Sequence, residues 1–90
     1  MNHLLPNLYT KKPVTIEAAY YDWTNVIELA AWLGKERAEI YDEHDAGLHI
    51  ATLEGSMKLL PGSWLVRGVK GEFYPVRHDI FEATYEPAQS

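Results

Sequence analysis

The stretch "LHIATLEGSMKLLPGSWLVRGVKGEFYPV" (48–76) decides the fold. It is a run of short apolar and β-branched segments punctuated by glycine pairs and one proline–glycine. "LHIATLEGSMKLL" (48–60) reads as two strands joined by a tight turn at Glu54–Gly55 or Gly55–Ser56. Pro61–Gly62 breaks the run, "SWLVRGV" (63–69) is the next strand, and Lys70–Gly71 turns it back into "EFYPV" (72–76). A meander of four strands is expected. Pro75 cannot donate a backbone hydrogen bond to a neighbouring strand, so it favours a sheet edge.

Working outward, "PVTIEAAYY" (13–21) alternates Val14, Ile16 and Ala18 with Thr15, Glu17 and Ala19, as a strand does. The period then changes. In "DWTNVIELAAWLG" (22–34), Trp23, Val26, Leu29, Ala30 and Leu33 share one helical face. Asp22 or Thr24 suits the helix start, Asn25 and Glu28 have capping-box spacing, and Gly34 sits where a terminal glycine belongs. Trp32 lies off the apolar face, which leaves it tucked under a loop or exposed as a partner contact. "AEIYDE" (38–43) is a short strand and "HDAG" (44–47) a turn. Beyond the meander, Asp79 caps one turn through Ile80–Glu82, and "ATYEP" (83–87) is a last strand beside the first. Phe73, Ile80, Phe81 and Tyr85 read as core. The fold expected is α+β: one small domain over 1–90, a curved antiparallel sheet packed on one amphipathic helix, with an N-terminal arm (1–10) and a loose tail (88–90).

Composition narrows the chemistry. The chain has no cysteine, which excludes disulfides, thiolate zinc sites and cysteine nucleophiles. It has no apolar run long enough to span a bilayer, and "MNHLLPNLYTKKP" lacks the basic head of a secretory signal. A net charge of −5 argues against general DNA binding. The charge is uneven: Glu36, Glu39, Asp42, Glu43, Asp45 and Glu54 face Arg37 alone over 36–54, whereas Lys58, Arg67, Lys70 and Arg77 face Glu72 alone over 56–78.

Specific catalytic signals fail. "DEHDAGLH" (42–49) has metal-ligand residue types, but its two histidines straddle a glycine turn without a metal-binding spacing. No nucleophile elbow surrounds Ser56, Ser63 or Ser90, and Gly62, Gly68 and Gly71 are too dispersed for a phosphate loop. Acidic residues are plentiful, yet a carboxylate dyad needs a cleft that so short a chain rarely forms. What remains is the basic and aromatic hairpin. Arg67, Lys70, Tyr74, Arg77 and His78 meet near one end of the sheet if that hairpin pairs as expected, and arginine beside an aromatic suits a base and a phosphate.

Three segments, "KKPVTIEA" (11–18), "LHIATLEGSMKLLPGSWLVRGVKGEFYPV" (48–76) and "DIFEATYE" (79–86), together resemble a widespread family of small uncharacterised phage and prophage proteins. The family pattern is KKPVxxEA, TLEGxM, PGDWxxRGVxGEFYPC and DIFExTYE; Ser63 stands here for its common aspartate and Val76 for its common cysteine. The missing cysteine argues against a shared cysteine mechanism. The resemblance implies a protein of the host bacterial cytoplasm and, by analogy, an accessory factor that binds a host protein or a host signal. The expectation is therefore a non-enzymatic binding module without a cofactor, sequestering a small anionic, nucleotide-like ligand between subunits of a homo-oligomer. A host-protein binder, a virion protein, or a small phosphoester-acting enzyme using His44, His49 or His78 are the alternatives.

Overall fold

In the computed structural model, residues 6–10 and 12–88 are described. Residues 1–5 of the expected arm, Lys11 and residues 89–90 of the expected tail lie outside them. The fold is α+β. Its order is β1 (Glu17–Tyr20), α1 (Val26–Leu33), β2 (Ala38–Asp42), β3 (Gly47–Thr52), β4 (Gly55–Leu59), β5 (Ser63–Arg67), β6 (Phe73–Arg77) and α2 (His78–Thr84).

The strands form two antiparallel sheets, β1-β5-β6 and β2-β3-β4, in place of one continuous meander. The chain breaks at Pro61–Gly62, where Gly62 takes a φ of 89°. Gly62 and Tyr21 then exchange backbone bonds across the break: Gly62 N–H donates to Tyr21 O at 2.8 Å, and Tyr21 N–H donates to Ser63 O at 2.9 Å. These bonds commit β5 to β1, so the edge a meander would give to β4 is already taken.

Both hairpins form, the first with its loop one residue earlier than expected, because Gly55 is already the first residue of β4. In β3–β4, Leu53 and Glu54 form the loop, and Gly55 follows with a φ of 104°. Thr52 locks it: its hydroxyl donates to Gly55 O at 2.7 Å and accepts the Glu54 N–H at 3.0 Å. In β5–β6, Gly71 N–H donates to Gly68 O and takes a φ of 80° that a β-carbon would disfavour. Pro75 lies on β6, an edge strand, as its missing N–H requires.

Helix α1 is shorter than the apolar period suggests. Asp22 accepts bonds from the Thr24 N–H and hydroxyl, and Asn25 turns its side chain back to Tyr20 O and the Asp22 N–H. Asn25 is the N-terminal cap by position, but its amide is spent on this link and no capping box forms. Trp23 therefore falls before the helix, with a φ of 65°, and is exposed rather than core. Gly34 ends the helix, donating its N–H to Ala30 O.

One core joins both sheets. Leu29 and Leu33 of α1, Leu48, Ile50 and Leu59 of the second sheet, and Leu65 and Phe73 of the first pack around fully buried Tyr21. Tyr21 also holds the β2–β3 turn, since its hydroxyl donates to the carbonyl of Ala46, a residue at φ 59°. The opposite face of the first sheet has its own cover. Ala18 and Tyr20, Val66 and Trp64, and Tyr74 and Val76 are cross-strand neighbours there, and α2 lies over them. The segment read as a single turn plus a strand is this helix: α2 runs to Thr84, and no strand follows it among the described residues. Phe81 stacks on Trp64 at 4.0 Å, and the Tyr85 ring meets Phe81 at a tilt at 5.0 Å. Ile80, read as core, is exposed on this helix.

Candidate ligand-binding surface

The β5–β6 register places the five expected site residues. Arg67 pairs with Phe73 beside the turn, and Arg77 pairs with Ser63 at the far end of the ladder. Four residues of strand separate those ends, about 13 Å. The structure thus keeps Arg67 and Lys70 together and sets Arg77 and His78 apart from them. Tyr74 belongs to neither group. It faces the α2 side, beside Tyr85, and its phenol pKa is pushed up to about 12 by burial and then by a hydrogen bond with Tyr85.

The turn end is the richer of the two. Glu72 folds back over the turn: its backbone carbonyl accepts the Gly68 N–H at 2.8 Å, and its Oε1 accepts the Lys70 N–H at 3.3 Å. A methyl group at Gly68 would meet that carboxylate, and the flexible Glu72 side chain would have to swing aside. Arg67 pairs with Glu17 at 3.2 Å, and its guanidinium lies 6.0 Å from the Phe73 ring centre. Arg37 reaches the same ring at 5.4 Å and donates to Leu33 O at 3.2 Å. Trp32 meets Phe73 edge to face at 5.0 Å. Trp32 is thus partly buried against the core, which favours the tucked position over an exposed contact.

Phe73 is consequently ringed by two guanidinium groups and an indole, an arrangement worth about 0.5–2 kcal/mol per cation–aromatic contact. A groove of 370 Å³ opens beside it, with Arg37, Lys70 and Thr52 in its wall. Arg37 is the residue that sequence reading missed. It stands alone in an acidic stretch, and only the fold carries it to the basic hairpin.

At the far end, Arg77 pairs with Asp79 at 2.8 Å. Trp64 Nε1 donates to His78 Nδ1 at 3.1 Å, and His78 Nε2 lies 3.4 Å from Glu82 Oε1. Through the Trp64 bond, His78 ties the start of α2 to β5.

The acidic turn is self-satisfied as well. Asp42 accepts the His44 N–H and Asp45 the Gly47 N–H, both at 3.0 Å. Lys58 closes on Asp45 and holds that carboxyl below its usual range, chiefly through the direct hydrogen bond. Among the described residues, no group of histidine and carboxylate side chains is placed to hold a metal ion, and no helix is long and apolar enough to cross a membrane. No known protein family, curated protein or solved structure matches the chain.

Proposed function

We propose that the protein is a non-enzymatic accessory binding protein that sequesters a small anionic, nucleotide-like ligand at the turn end of the β5–β6 hairpin. The observation that carries this reading is the convergence of Arg37 and Arg67 on Phe73, with Lys70 on the wall of the adjoining groove. Guanidinium groups bind phosphate oxygens in pairs. Glu17 is the competitor: an entering anion takes Arg67 away from it, which lowers affinity and makes binding salt-dependent. The Trp64 hydrogen bond that occupies His78 Nδ1 supports binding over acid–base catalysis at that residue. The resemblance to small phage proteins supports reading it as a factor of the bacterial cytoplasm that acts in counter-defence or host takeover.

Native mass spectrometry of gently purified protein, followed by calorimetry with a panel of mono-, di- and cyclic nucleotides, tests it. A nucleotide-sized adduct is expected, and Arg67→Ala and Lys70→Ala should each weaken binding about tenfold, the loss of one charge-assisted contact. Arg77→Ala, at the far end, should leave affinity unchanged. Trp32 fluorescence should respond, because the indole touches Phe73. Empty protein that gives no heat with any of the panel would sink the reading.

A further inference from the structure

Arg67 and Arg37 approach the Phe73 ring from two different hollows, one on each flank of the β5–β6 turn. On the β1 flank, Arg67 stands with Thr15, Glu17 and Val69 around a hollow of 300 Å³. On the flank of the second sheet, Arg37 and Lys70 stand in the wall of the 370 Å³ groove. Arg67 does not line the groove, and neither Arg37 nor Lys70 lines the hollow. Among the described residues, Gly71 is the one that lines both.

Gly71 has no side chain to fence one hollow from the other. A β-carbon there would stand 3.8 Å from a guanidinium nitrogen of Arg67. At the residue they share, only backbone stands between the two hollows. The carboxylates of the two walls are already engaged: Glu17 pairs with Arg67, and Glu72 accepts the Lys70 N–H. The groove sets two cations against one carboxylate, and the hollow sets one against one. The groove is therefore the stronger anion seat, and the hollow becomes a second seat when an anion displaces Glu17.

A single phosphate in the groove meets Arg37 and Lys70 and leaves Arg67 unused. The adjacent phosphates of a nucleoside diphosphate share a bridging oxygen, so they stay together on one flank. Phosphates on opposite sides of one ribose are spaced to straddle a peptide backbone. Resting on the ligand reading above, we infer that the ligand is a nucleoside carrying separate 3′ and 5′ phosphates. It sits astride Gly71, with one phosphate on Arg37 and Lys70 and the other on Arg67.

Calorimetry with the 3′,5′-bisphosphates, 5′-diphosphates and 5′-monophosphates of adenosine, guanosine, cytidine and uridine tests it. For one nucleoside, the bisphosphate and the diphosphate contain the same atoms and differ in where the phosphates stand. The bisphosphate should bind about tenfold more tightly, the gain of one charge-assisted pair. Arg67→Ala should abolish that preference and leave diphosphate affinity unchanged. Gly71→Asn keeps a residue that tolerates positive φ but raises a side chain between the hollows. It should abolish the preference too, with a native circular dichroism spectrum. Glu17→Gln releases Arg67 and should strengthen bisphosphate binding alone. Equal affinity for the two isomers, or a preference that survives either Arg67→Ala or Gly71→Asn, would overturn the inference and leave the anion-binding reading standing. Absence of heat with every compound would overturn both.

Discussion

Tyr21 carries several duties at once. It is fully buried, follows directly on β1, and fixes the turn at Ala46 through its hydroxyl. Burial, and next the nearby Tyr41, push its phenol pKa from 10.0 to about 12, and Tyr74 moves in the same direction. The unfolded chain then releases these protons near pH 10, before the folded chain does. The stability they contribute is therefore complete below pH 10.0 and is lost as pH rises toward about 12. Urea denaturation midpoints should hold through neutral and mildly alkaline pH and fall within that window. Tyr21→Phe should cost about 1 kcal/mol at neutral pH, by leaving the Ala46 carbonyl unpaired, and should make the alkaline decline shallower. Equal slopes in wild type and Tyr21→Phe would refute this assignment.

Among the elements, α2 is docked by a few aromatic side chains. None of its residues is fully buried, and it is held through Phe81, His78 and the adjoining Tyr85. A short helix is not stable alone, so its order depends on docking to Trp64. Phe81→Ala should remove that anchor and speed hydrogen exchange over 78–84, while amides of β3 keep wild-type protection. Uniform loss of protection across both sheets would show that α2 is instead part of the global folding unit. The element boundaries explain why the end of the chain misleads a reader. "ATYEP" alternates as a strand does, but Phe81 and Tyr85 lie four apart, and that spacing sets Tyr85 against Phe81, which stacks on Trp64. The aromatic partner on another element settles which period is used.

At the scale of the molecule, the two sheets share no strand pairing, yet one core contains side chains from both and from α1. Leu33 sits at that junction with no exposure. Leu33→Ala should cost about 2–5 kcal/mol, a large part of the stability of a domain this small. Far-ultraviolet circular dichroism and tryptophan fluorescence should still report one coincident thermal transition, lowered by ten degrees or more, on the order of 4–8 °C per kcal/mol. Two separate transitions would mean that the sheets fold independently. What the residues alone determined were features governed by neighbours along the chain: the glycine turns at Gly55 and Gly71, the helix end at Gly34, and the edge position of Pro75. Dihedral limits and side-chain period act over a few residues, so they are legible locally. Only tertiary structure decided that β5 takes β1 as a partner, that Arg37 reaches Phe73, and that Arg77 stands a strand's length from Arg67. Those outcomes depend on strand register and on competition for sheet edges between segments far apart in the chain, and no local pattern encodes either.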